Sequence, residues 1–171
     1  MRAEERRQAV LELIEQSEKP VSASSLASRF SVSRQIIVGD IALLRAAGAE
    51  ISATPRGYVI LRGSMTGVVK QIACRHSAEE MEAELNAIVD QGCTVIDVIV
   101  EHPIYGQLTG PLHLSNRYDV SRFIARSAEE DALPLSNLTE GIHLHTLSCP
   151  DEAAFLRVKN VLKELGVLLE D

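Results

Sequence analysis

Residues 21–48 read VSASSLASRFSVSRQIIVGDIALLRAAG. Ser22 is placed to cap a short helix over 24–30, because a serine side chain can accept a hydrogen bond from a free first-turn amide. Ser31-Val32 then makes a tight turn. Ser33 caps a third helix that runs from Arg34 to about Ala47, with Ile36, Ile37, Ile41 and Leu44 as its apolar positions. Gly48 suits the stop, where a left-handed residue ends a helix. Two helices joined by so short a turn form a helix-turn-helix. Upstream, residues 3–16 place Ala3, Val10, Leu13 and Ile14 near one helical face, and Pro20 closes that segment. Downstream, two short strands, 49–52 and 58–61, flank the turn Thr54-Pro55-Arg56-Gly57 and make a wing.

The specific part of this pattern is S-V-S-R…D-I-x-x-L-R-x-x-G followed by P-R-G-Y. It resembles the winged helix-turn-helix that opens many bacterial repressors. The resemblance implies that the first turn of the third helix enters the major groove of a double-stranded DNA operator. Ser33, Arg34, Gln35 and Val38 are then the groove-facing positions. Arg34 can read guanine or hold a phosphate, Gln35 can read adenine, and Arg56 on the wing suits a backbone or minor-groove contact. A winged helix used only for protein contacts is the other reading; the serine-arginine start and the basic wing favour DNA. Gly39 departs from the pattern. It stands mid-helix, where related repressors carry a long polar side chain.

Composition narrows the field. With 171 residues the chain holds one medium domain or two small ones, and 46% apolar residues is ordinary for a globular protein. The absence of Trp argues against an aromatic platform for single strands. No run of about 18 apolar residues is present, so no membrane partner is expected. MRAEERRQAV is charged and is not followed by the apolar stretch of a secretory signal. Three widely spaced cysteines, Cys74, Cys93 and Cys149, read as reduced thiols, which together with the missing signal predicts a cytoplasmic protein. Residues 1–62 carry nine Lys/Arg and seven Asp/Glu; residues 63–171 carry eight and seventeen. A slightly basic amino-terminal piece on an acidic body can bind DNA through one oriented face while avoiding non-specific adhesion.

Arg62-Gly63-Ser64-Met65-Thr66-Gly67 separates two apolar strands and marks a linker. The expected domains are 1–62, for DNA binding, and 63–171. The second begins with a strand over 68–76, then a capping box S-x-x-E at Ser77–Glu80 and a helix to about residue 90. Strands over 94–100 and 107–114, a helix over 119–128, a strand around 141–146 and a last helix opened by Pro150 follow, with Val167–Leu169 as a possible edge strand. The predicted fold class is α+β: a winged helix-turn-helix followed by a two-layer α/β sandwich with helices on one sheet face.

All five histidines fall in the second part. In G-I-H-L-H-T (141–146), a strand places His143 and His145 on one face, roughly 6.5 Å apart. Ile142, Leu144 and Leu147 are expected to pack into a core on the other face. Two imidazoles so spaced can share a divalent metal; buried, hydrogen-bonded histidines explain the same letters. His76 ends a strand, and Glu84 borders the apolar stripe of the following helix. These four could converge as three nitrogens and one oxygen, a set suited to zinc, nickel, cobalt, manganese or iron. Cys74 shares the face of His76 and could replace Glu84, although a small buried apolar residue is its simpler role.

R-H-S-A-E-E-M-x-x-E-L, E-H-P-I-Y-G-Q-L and G-I-H-L-H-T, in this order, resemble the three-histidine (3H) domain. Behind a winged helix, that domain characterises niacin-responsive repressors of NAD salvage genes. The resemblance spans nearly the whole chain. It implies a divalent metal held by His76, Glu84, His143 and His145, with nicotinic acid, or its amide, as co-repressor of a homodimer. Around such an effector, Tyr105 could stack on the ring, Arg75 offset its charge and His102 supply a donor, although His102–Gly106 also reads as a well-defined turn. Two rival readings are a small metal-dependent enzyme, with Glu101 as base, and a repressor for which the metal itself is the signal. A biotin-ligase-type repressor would need a longer chain.

Overall fold

The computed structural model describes residues 1–60, 67–130 and 133–170. The linker expected at 62–67 falls almost wholly outside them. The chain divides into two compact units, Met1–Gly63 and Ser64–Asp171.

In the first unit, helix α1 spans Ala3–Gln16, α2 Ala23–Phe30 and α3 Arg34–Ala46. The serines cap as expected: Ser22 Oγ accepts the Ser25 amide at 3.0 Å, and Ser33 Oγ accepts that of Ile36 at 3.2 Å. Val10, Ile14, Leu26, Ile37 and Ile41 form the buried centre. Ile36 does not join it. It lies 43% exposed on the outer face. The wing is tighter than the spacing suggested. Strand β1 (Ile51–Thr54) lies two residues, and β2 (Gly57–Ile60) one residue, closer to the turn, with Thr54 opposite Gly57. Thr54 organises this turn, its hydroxyl donating to the Gly57 carbonyl and accepting the Arg56 amide. Gly57 has φ +138°, and a Cβ there would meet the Val21 backbone at 2.6 Å. That contact is a third strand position, because Val21 and Tyr58 exchange backbone hydrogen bonds of 2.8 and 3.0 Å.

Asp40 was not expected in this core. It is 4% exposed on α3, and Arg6 of α1 grips it with Nε at 2.7 Å and Nη2 at 3.2 Å. Gly39 is on the outer face, and a Cβ there would meet nothing within 4 Å. No close backbone approach among the described residues requires it. Gly39→Ala is therefore expected to stabilise this unit by about 0.5–1 kcal/mol, measured by denaturant unfolding.

In the second unit, β3 (Val68–Arg75), β4 (Thr94–His102), β5 (Gly106–Leu114) and β6 (Ile142–Cys149) form an antiparallel sheet in the order β3-β6-β4-β5. Helices α4 (Met81–Val89), α5 (Arg117–Glu129) and α6 (Glu152–Glu164) add Leu85, Ile88, Val120, Val158 and Leu162 to one core, facing Ile72, Val95, Leu112 and Leu147 of the strands. This is the expected two-layer sandwich, built on a mixed α/β chain. Pro150 precedes the last helix rather than opening it. Asp151 is the N-cap and accepts the Ala154 amide at 2.8 Å. The expected edge strand is reduced to a bridge between Cys74 and Leu168, with Arg75 and Leu169 amides donating across it. The three cysteines are buried and free.

Candidate functional site

Parity along β6 puts His143, His145 and Leu147 on the helix-covered face, all buried. This corrects the expected partition. Leu147 lies with the histidines, while Ile142 (41% exposed) and Leu144 look to the open side. The imidazoles can occupy a core face because every ring nitrogen there meets a polar neighbour. β3 runs beside β6 with Cys74 opposite His143 and Ile72 opposite His145. His76, just past β3, donates its amide to the Gly141 carbonyl. From the helix layer α4 lowers Glu84, which has no exposed surface.

The four side chains meet. His143 Nε2 lies 2.9 Å from Glu84 Oε2, His76 Nε2 contacts the same oxygen, and His145 Nε2 contacts Oε1. On the far side of each ring, Nδ1 faces a backbone carbonyl: Ser77 for His76 (2.7 Å), Gly141 for His143 (2.8 Å) and Asp97 for His145 (2.7 Å). A carbonyl only accepts, so each Nδ1 carries the proton and each Nε2 presents its lone pair inward. A lone pair facing a carboxylate is repulsive unless something positive lies between. In the metal-free protein that can only be a proton. Three protonated rings against one carboxylate would leave uncompensated charge in a dry interior.

A divalent cation satisfies all four groups at once, and backbone-fixed rings are the arrangement that metal-ligating histidines use. His76 Nε2 is buried and makes no hydrogen bond despite its contact with Glu84, which leaves its lone pair for such an ion. The donor set therefore fits a borderline divalent transition metal.

Burial alone would lower the pKa of His76 and of His145, but contact with Glu84 outweighs it and holds both above the ordinary value. Burial pushes Glu84 up; the charge of His145 and the imidazole contacts hold it well below the carboxylate range. Burial, then the Glu84 charge, raise the Cys74 thiol. In the metal-free protein, the stabilisation from His76 and His145 is complete below their unfolded value of 6.5 and vanishes as pH rises through their raised folded values. That from Glu84 is complete above 4.5 and vanishes as pH falls through its lowered folded value. Metal uptake displaces those imidazole protons. Zinc added to the metal-free protein near neutral pH should thus release protons, and its affinity should climb as pH rises above 6.5 through the raised imidazole values. Indicator-dye titration in weak buffer measures both effects.

Two supports were not foreseen. β4 carries one extra residue against β6 between Val95 and Ile99, a bulge that includes Asp97. There the Asp97 carbonyl meets His145 Nδ1, and its carboxylate accepts the Thr146 amide at 2.9 Å. The signal was present: one acid inside the apolar run V-I-D-V-I-V. The other is Gly141, with φ +90°. Its carbonyl accepts from both His76 and His143, and a Cβ would lie 2.3 Å from the His76 carbonyl oxygen.

On the open side of the sheet, across β6 from the cluster, a cleft of about 780 Å³ is lined by Ala73, Ile99, His102, Ile142, His143 and Leu144, among others. Of the three expected effector residues only His102 lines it. His102 Nδ1 accepts the Ile104 and Tyr105 amides at 3.1 and 3.2 Å, the well-defined turn that was the alternative reading. Tyr105 is 74% exposed, its ring 4.9 Å from that of His102, and Arg75 is exposed at the end of β3. In the other unit, Ser33, Arg34 and Gln35 are exposed on the first turn of α3, Val38 is half-buried, and Arg56 is exposed at the wing tip. Exposed Ile36 joins this face, where an apolar side chain suits a thymine methyl.

Residues 6–59 match an HTH domain and residues 69–171 match the 3H domain. The chain is 43% identical over 168 residues to the probable transcription repressor NiaR of Thermotoga maritima, covering 98% of this chain and 95% of that one. It is 42% identical over 169 residues to the transcription repressor NadR of Bacillus subtilis, covering 97% and 94%. The chain belongs to the 3H-domain family of transcription repressors. A 3H-family repressor with this amino-terminal domain binds DNA and is not an enzyme, which removes the hydrolase reading and leaves Glu101 without a catalytic role. Among the described residues, no helix is long and apolar enough to cross a membrane.

Proposed function

We propose that this 3H-family protein is a cytoplasmic, nicotinic acid-responsive repressor of genes for NAD biosynthesis, niacin salvage or uptake. It acts as a homodimer on a double-stranded operator, with a divalent transition metal held by His76, Glu84, His143 and His145. The carrying observation is the convergence of three Nε2 atoms, each ring fixed from behind by a carbonyl, on one buried carboxylate. The domain boundary is drawn at residues 62–63.

When bound, the metal supplies a Lewis-acid position for a carboxylate or pyridine nitrogen. The chain's own residues do the rest. β6 carries the donor histidines on one face and Ile142 and Leu144 of the cleft wall on the other, so this strand joins the two sites. His102, its Nδ1 engaged by the turn, keeps Nε2 for a ligand oxygen. Tyr105, its ring 4.9 Å from that of His102, and exposed Arg75 lie outside the cleft wall and would have to swing in to meet a planar acid. Ser33, Arg34, Gln35, Val38 and Arg56 make the DNA contacts, and a dimer presents two such faces to half-sites about 34 Å apart. The effector acts by binding the DNA-competent arrangement more tightly than the other.

The deciding measurement is operator affinity by fluorescence anisotropy for metal-free, metal-loaded, and metal-plus-nicotinate protein, with nicotinamide in parallel. Tightening that needs both metal and nicotinate supports the proposal. Tightening by metal alone makes the ion itself the signal, and no change under any condition removes the sensing function.

A further inference from the structure

We propose that the Cys74 sulfur is a fifth donor to the same cation and biases the centre toward softer ions, zinc and cobalt, over manganese. This rests on the metal-centre reading above and extends it to a residue outside the four-ligand set. Cys74 is completely buried and stands on β3 directly opposite His143, so the two side chains share a face at the close spacing of a cross-strand pair. His76 follows two residues later on that face. In this antiparallel register Cys74 faces His143 and Ile72 faces His145, so Cys74 stands beside the inner histidine of the pair. Its Sγ, a Glu84 oxygen and a His143 ring nitrogen all lie within 4.8 Å of one another.

A second observation points to a ligand here. His76 Nε2, on a residue 8% exposed, is aimed into this space and meets Glu84 Oε2 without hydrogen-bond geometry. An apolar filler would explain the burial of Cys74, but not its place inside a ring of inward-facing donors. Thiolate favours borderline and soft ions, whereas manganese prefers oxygen donors. On coordination the sulfur lone pair goes to the cation and the thiol proton goes to the buffer.

Cobalt(II) titration of the chelator-stripped full chain tests this. The wild type should bind one equivalent and show an intense near-ultraviolet thiolate-to-cobalt absorption beside the weaker visible bands. Cys74→Ser and Cys74→Ala should still bind one equivalent but lose the near-ultraviolet band. Their zinc and cobalt affinities should fall by at least the roughly 10–100-fold that loss of even an outer-shell partner costs, with manganese affinity unchanged. Cys93 and Cys149 remain in both variants as internal controls. One cobalt bound by the wild type without the thiolate band, or a band that persists in the variants, overturns the Cys74 assignment and leaves the metal centre standing. No stoichiometric cobalt in the wild type overturns the centre and this extension together. Should both variants misfold, X-ray absorption of the wild-type cobalt protein decides by the presence or absence of a sulfur neighbour.

Discussion

Glu84→Gln is expected to lose the metal and, with it, any response of operator binding to nicotinate, while the affinity of the unliganded protein for DNA stays near wild type. Glu84 is the one anion that three imidazoles share, so it balances the cation's charge and touches every other donor. Glutamine keeps the shape and removes that charge. The affinity loss should exceed the roughly 10–100-fold typical of an outer-shell change. Metal analysis after dialysis and calorimetric zinc titration give the numbers, and His143→Ala/His145→Ala should behave alike. The metal-free variant should remain folded, because the histidines need not stay charged. Without Glu84, burial lowers the pKa of His76 and His145, and both rings become neutral. Full metal occupancy in Glu84→Gln would sink the ligand assignment.

Asp40→Ala should give a clear loss of stability in the amino-terminal unit. The contrast with Glu84 lies in the partner. Arg6 cannot shed its proton, and Asp40 raises its pKa further by hydrogen bonding to it. Removing Asp40 leaves a guanidinium whose side chain is 15% exposed, with two hydrogen bonds unmade, and Arg7, 3.8 Å away, loses its acid as well. The expected fall in melting temperature is on the order of 10 °C for a unit of this size. Because the pair joins α1 to α3, operator affinity should fall with it at temperatures where the wild type is intact. Calorimetry and anisotropy at matched temperatures test this, and an unchanged melting temperature would show the pair to be dispensable. Arg6→Lys should not substitute, since one ammonium cannot span both carboxylate oxygens.

Local chemistry was legible along the chain. Ser22, Ser33 and the Ser77–Glu80 box announce helix starts because a capping side chain acts within three residues. The spacing of Glu84 from Ile88 already put that acid at the edge of the buried stripe. Periodicity gives which residues share a face, but not which face the helices cover; hence Ile142 and Leu144 were assigned to a core that lies on the opposite side. Asp97 and Gly141 escaped notice for a related reason. They act through main-chain carbonyls, whose direction depends on a bulge and on a positive φ rather than on side-chain type. The Arg6–Asp40 pair joins residues 34 positions apart, beyond what helical spacing can relate.

The short pairing of Val167–Leu169 with β3 has a practical consequence. β3 is the outermost strand of its sheet, and this carboxy-terminal tail occupies the Ala73 carbonyl and the Arg75 amide on its free side. Replacing Leu168 and Leu169 with proline would uncover that row of main-chain groups as a template for another molecule's strand. Aggregation nucleated there would begin alongside Cys74 and His76. A preparation damaged at its tail could then be misread as one that had simply lost its metal.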